Sequence, residues 1–65
     1  MTGADLTFAL AAIGWSQREL ARWVGVSESR VRRWARGTIP VPEAVADWLQ
    51  LAAEWHVANP PPRVD

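Results

Sequence analysis

The sequence has no cysteine and no lysine, and nowhere does it approach the roughly 20 consecutive apolar residues that a membrane span needs. Without cysteine, neither a disulfide framework nor a thiolate metal site can hold the chain together. The first residues lack a basic region followed by a continuous apolar run, so no secretory signal is expected and a cytoplasmic protein is the default. Strand-like alternation, internal repeats and low-complexity blocks are missing too. Nothing resembles a nucleophile beside its base, a paired-carboxylate site or a metal cluster, so no enzyme, cofactor or metal is expected. His56 stands alone near a helix C-terminus, where a cation is favoured, which suits no ligand role.

At 65 residues there is room for one domain with one small core. A chain of this size buries only roughly 60% of its unfolded surface and is marginal. It leaves no room for an effector pocket, and no small-molecule ligand is expected. Five tryptophans are many for this length. Each can bury on the order of 150–250 Å². They are expected to supply the core, and dimerisation would add to it.

The formal net charge is zero, but the charges are segregated. Residues 17 to 37 set six arginines, Arg18, Arg22, Arg30, Arg32, Arg33 and Arg36, against Glu19 and Glu28, a local +4. Asp5, Glu43, Asp47 and Glu54 make the remainder acidic, while Arg63 and Asp65 cancel. One basic face on an acidic body suits a polyanionic partner. Apart from His56, every basic residue is arginine, the better reader of base edges and phosphates.

The punctuation predicts four helices and an all-α fold. The first runs from about Gly3 to Ile13, capped by Thr2 with Asp5 completing a capping box, and ends at Gly14. Leu6, Ala9, Leu10 and Ile13 share one face of it, and Phe8 lies nearly opposite, either packed on a neighbour or facing outward. The second follows Ser16, with Glu19 as its box partner, and runs to Val24 with Leu20, Ala21 and Val24 inward. Gly25 supplies the left-handed C-cap. The third has Ser27 as N-cap and ends near Arg36 at Gly37. A stiff connector, Thr38-Ile39-Pro40-Val41-Pro42, places Pro42 at the first position of the fourth, which runs to about Val57. Asn59 and three prolines follow, and an extended polyproline tail is expected. Residues 1–58 thus form one domain and 59–65 a proline-rich tail.

The most informative stretch is Gln17–Trp34, QRELARWVGVSESRVRRW. Two short helices joined across Gly25-Val26-Ser27 make a helix-turn-helix, whose second helix fits the major groove of DNA. At about 100° per residue, Val31, Trp34 and Ala35 face inward, Ser29 and Arg33 face away, and Arg32 and Arg36 flank them. Arg33 and Arg32 can each donate two hydrogen bonds to a guanine edge, Glu28 can accept from a cytosine amino group, and Ser29 can contact several bases. Gln17 and Ser27 stand at helix starts where a backbone phosphate should pass. Arg36 and the backbone amides near Gly37 and Thr38 are placed to hold phosphates, as is Arg30 on the flank. Competing readings remain for several of these. Glu28 and Arg32, four apart, also have the spacing of a surface ion pair, as do Arg18 and Arg22 that of two solvated cations, and Arg30 could pair with a carboxylate.

Over about Leu6 to Leu51 the sequence resembles the Cro/lambda-repressor-like, or Xre, helix-turn-helix family. The resemblance rests on Gln17, Leu20, Ala21, Val24, Gly25, Val26, Val31 and Trp34, with Gly14-Trp15-Ser16 before them. It implies base contacts from Glu28, Ser29, Arg32 and Arg33, and phosphate contacts from Gln17, Ser27 and Arg36. The chain departs from that family in carrying Trp15 where an aliphatic residue is usual, Trp23 on an edge often charged, and four helices rather than five. Ending in a helix and an Asn-Pro-Pro segment, it also looks like the anti-CRISPR-associated regulators of phages.

The fourth helix is more apolar than a small core requires. Val45, Leu49 and Ala52 point one way, and Ala44, Trp48, Leu51 and Trp55 widen the stripe to an arc of roughly 160°, against the 100° or so a surface helix needs. A two-fold partner is the simplest cover, with Trp48, Leu51 and Trp55 in the interface. It would set two recognition helices roughly 34 Å apart on a palindromic operator. The expected function is therefore that of a small dimeric repressor of double-stranded DNA, with the promoter of its own operon as the expected site. The alternative is a protein-binding adaptor or antitoxin using the same apolar face. A thinner reading folds Trp48 and Trp55 over the core, with Trp23 and Phe8 packed at its edge.

Overall fold

Side-chain caps set where the first two helices begin. Thr2 Oγ1 accepts from the Asp5 N–H at 3.0 Å while Asp5 Oδ2 accepts from the Thr2 N–H at 2.9 Å. Ser16 and Glu19 repeat the exchange at 3.0 and 3.2 Å. Each box satisfies two N–H groups that a helix start would otherwise leave without partners. In the computed structural model, which describes residues 1–64, four helices result: α1 (Gly3–Ile13), α2 (Gln17–Val24), α3 (Glu28–Arg36) and α4 (Glu43–Ala58). Among the described residues there is no strand, and no helix is long and apolar enough to cross a membrane. Asp65, the last residue of the expected tail, lies outside the described residues.

Two boundaries differ from the sequence reading by a residue. Pro42 is the N-cap of α4 rather than its first helical residue, with an extended ψ of 140° and its carbonyl accepting from Ala46 N–H at 2.9 Å. Proline has no N–H to leave unsatisfied, so either position suits it. At the other end α4 continues to Ala58, and Asn59 closes it with both its backbone and its side-chain N–H donated to the Trp55 carbonyl at 2.9 Å.

Leu6, Leu20, Val31 and Leu49 are fully buried, one from each helix. Each is worth about 1.5–3 kcal/mol of burial. Ala9, Leu10, Ala21, Trp34 and Ala53 complete the core. α4 packs mainly on α1, α2 on α3, and α1 also on α3, so α3 is held between the first two helices. Gly3 makes the last of these contacts close, because a Cβ there would overlap the backbone carbonyl of Ala35.

Several inward assignments need correcting. Of the five tryptophans only Trp34 is buried, and the rest of the core is aliphatic. Val24 is exposed at the end of α2, and Ile13 only partly covered. On α4, Ala53 is buried rather than Ala52, since 53 lies one turn from Leu49 on its own side while 52 leans toward the open edge. Phe8 is 67% exposed and faces outward, and Trp23, 70% exposed, meets the core only through its stack on Trp15.

Gly3→Ala should destabilise by about 1–3 kcal/mol, since a backbone carbonyl rather than a side chain must yield. Melting followed by circular dichroism would show it as a drop of roughly 4–8 °C per kcal/mol; an unchanged midpoint would mean α1 is not seated on α3. The Thr2 backbone N–H, and after it the Thr2 hydroxyl, hold the Asp5 carboxyl below its ordinary pKa. A depressed folded pKa stabilises above the unfolded value and is lost as pH falls through the folded one. Wild-type stability should therefore decline below about pH 4, and Asp5→Asn should be less stable at neutral pH with a flatter acid limb. Parallel acid limbs would remove the box from the account.

Candidate nucleic-acid interface

Between α2 and α3 the chain reverses in three residues. Gly25 adopts φ 81°, ψ 32°, in the left-handed region. Its N–H and that of Val26 both donate to the Ala21 carbonyl, at 2.9 and 3.0 Å. Ser27 Oγ then accepts from the Arg30 N–H at 3.1 Å and starts α3. Its own O–H stays available to donate outward. Val26 is half-buried against the core, which ties the turn down.

Burial of Val31 and Trp34 fixes which side of α3 faces out. Ser27, Glu28, Ser29, Arg30, Arg32, Arg33 and Arg36 are all exposed, and Gln17 at the start of α2 is half-buried. The four residues expected to read bases, Glu28, Ser29, Arg32 and Arg33, thus share the open side and the N-terminal turns of α3, with Arg36 continuing it. Glu28 and Arg32 form the one ion pair among the described residues, at 3.4 Å with both side chains about half exposed. The pairing anticipated from their spacing is therefore present. Arg18, Arg22, Arg30, Arg33 and Arg36 have no carboxylate partner among the described residues, so the positive charge of α2 and α3 is largely unneutralised by ion pairs.

The phosphate role expected of the amides near Gly37 and Thr38 needs correction. Thr38 N–H donates to the Arg33 carbonyl at 2.9 Å and Gly37 N–H to the Trp34 carbonyl at 3.1 Å. Closing the C-terminus of α3 consumes both, because its last carbonyls need donors. The exposed Thr38 hydroxyl is what remains for an outside partner.

One feature between α2 and α4 had no signal in the sequence. Trp15 stacks on Trp23 at 6.0 Å and 12°, and on Trp48 at 5.3 Å and 29°. Trp15 and Trp23 stand out individually by their positions, but only the tertiary fold brings Trp48 to them. Among the described residues no group of His, Cys, Asp or Glu could hold a metal ion.

A helix–turn–helix with a short glycine turn and a solvent-facing basic second helix is a DNA-binding arrangement. Residues 8–53, most of the chain, match the family described as the helix-turn-helix domain. The chain belongs to that family. The matched span begins inside α1 and ends inside α4, so it takes in α2, the turn and α3 whole. No curated protein and no solved structure matches this helix-turn-helix protein significantly.

Proposed function

We propose that this helix-turn-helix protein is a transcriptional repressor that binds an inverted-repeat operator in double-stranded DNA as a homodimer. The observation that carries the reading is the bare arginine side of α3. Arg33 and Arg36 are exposed and unpaired among the described residues, on a helix whose opposite side is locked in the core. Helix α3 enters the major groove N-terminus first. Arg33 and Arg32 read guanine edges, Glu28 a cytosine amino group, and Ser29 an adjacent base. Gln17, Ser27, Arg30, Arg36 and the Thr38 hydroxyl hold phosphates and set the register.

The Glu28–Arg32 pair does not oppose this. An exposed pair four residues apart is worth about 0.3–0.5 kcal/mol. A bidentate guanine contact contributes about 1–3 kcal/mol, so the pair opens when a base edge is offered. At rest it keeps the two side chains extended over the face they would read.

The dimer is proposed from α4. Trp48, Leu51 and Trp55 are 50%, 68% and 61% exposed along one stripe, with Trp48 partly covered by Trp15 on one face. A second copy supplies the missing cover and spaces the two α3 helices for two half-sites. Residues 1–58 then form the DNA-binding domain with its dimerisation helix, and 59–65 an appended segment. The resemblance of α2, the turn and α3 to Cro/lambda-repressor-like proteins supports reading the chain as a member of that branch. Its likeness to anti-CRISPR-associated regulators suits a phage or mobile-element protein, working in the bacterial cytoplasm and repressing its own operon. The same uncovered stripe also favours a second reading, an adaptor or antitoxin that holds a different protein on α4.

Selection of bound duplexes from a random pool separates the two readings. A repressor enriches an inverted repeat with half-sites about one turn apart, whereas an adaptor enriches nothing. On the selected site, Arg33→Ala should relax preference at one base pair per half-site, by about 1–3 kcal/mol. Arg36→Ala should instead weaken all sequences alike and lower the salt slope by about one per half-site. A uniform loss for Arg33→Ala would make it a phosphate contact. Trp55→Ala should shift the sedimenting mass from dimer towards monomer, and an unchanged mass would remove α4 from the interface.

A further inference from the structure

The three stacked tryptophans border an apolar groove of about 350 Å³ between α2 and the first half of α4, lined also by Leu20, Val24 and Val45. Past α4 the chain reads Asn59-Pro60-Pro61-Pro62-Arg63. Consecutive prolines hold the backbone near the polyproline II form, at about 3.1 Å per residue. Segments of that kind dock on aromatic-lined grooves because little entropy is lost in ordering them. One sequence therefore carries both halves of a known type of recognition pair.

The two halves do not meet within one chain. Residues 60–64 are exposed throughout. The longest dimension of the molecule is 41 Å. That length matches the 16 residues of α4, about 24 Å, followed by five extended residues, about 15 Å. The prolines thus run outward from the C-terminus of α4 while the groove lies at its N-terminal half. Asn59, which donates twice to the Trp55 carbonyl, closes α4 before they begin.

We infer that the Pro60–Pro62 segment of each protomer docks in the tryptophan groove of a second copy, an exchange that rests on the α4 homodimer proposed above. Antiparallel packing of two α4 helices that sets Trp48 against the second copy's Trp55 also sets Val45 against Ala58 and Ala44 against Asn59. The prolines then start at the mouth of the groove, where Ala44 and Val45 form one wall. Charge agrees with this placement. Glu43 is exposed at the first position of α4 with no cation partner among the described residues, and in that register it faces Pro60, three residues before Arg63. The exchanged segments would join each α2 to the other protomer's α4, so the two DNA-reading units are held together by more than the α4 stripe.

Sedimentation equilibrium on the full chain tests this. The triple change Pro60→Ser, Pro61→Ser, Pro62→Ser and the single change Trp23→Ala should each weaken dimerisation about tenfold, and the two combined should cost no more than either alone. Both sites are exposed, so the fold survives either change. In a sample mixing isotope-labelled and unlabelled copies, nuclear Overhauser contacts should join proline ring protons of one copy to Trp23 or Trp48 of the other. A dimer whose dissociation constant ignores the prolines, or in which the two losses simply add, overturns the exchange and leaves the dimer standing. A wild-type chain that sediments as a monomer overturns both.

Discussion

Burial of Val31 and Trp34 is the constraint on which the rest of this protein depends. α3 is only nine residues long. A helix that short does not hold itself together in water. It persists because one side is driven into a core shared with α1 and α2, and because Ser27 and Gly37 close its ends. Once those two side chains are inward, helical geometry leaves no choice about Arg33 and Ser29, which must point to solvent. The basic face is thus a consequence of packing. Gly3 contributes from a distance by letting α1 press on the backbone at Ala35, which sets how firmly α3 is held.

Charge and hydrophobicity are separated on this small body in a way that divides its work. The arginines cluster on α2 and α3, while acidic Glu43, Asp47 and Glu54 sit on α4. An overall neutral protein can therefore present a positive field to DNA from one side and keep its other side unattractive to it. The large apolar side chains that the core does not use lie on α4 and beside α2. A core of eight aliphatic residues, three of them alanines, plus one indole is small, and added burial between copies would strengthen a domain near the lower limit of independent stability.

How much could be read from the residues follows from the range of each interaction. Caps, turns and helix faces are decided within four or five residues, so Thr2–Asp5, Ser16–Glu19 and the Gly25 turn stand out before any coordinates. The exposure of Arg32 and Arg33 follows from periodicity. The Gly3–Ala35 approach leaves no periodic trace, because it joins backbone to backbone 32 positions apart. Composition likewise does not tell which tryptophan is buried; only Trp34 lies on a helix side enclosed by others, while Trp15, Trp23 and Trp48 meet on the surface. The amides of Gly37 and Thr38 are taken up for a local reason, since the last carbonyls of α3 need donors.

The central claim is that arginines of α3 read base edges from the major groove. Dimethyl sulfate footprinting on a selected duplex tests it most directly, because guanine N7 methylates in the major groove and adenine N3 in the minor. The account expects guanine N7 protection in two patches about one helical turn apart, lost at one guanine per half-site when Arg33 is replaced. Protection confined to adenine N3, or bound DNA with every guanine N7 still reactive, would contradict it.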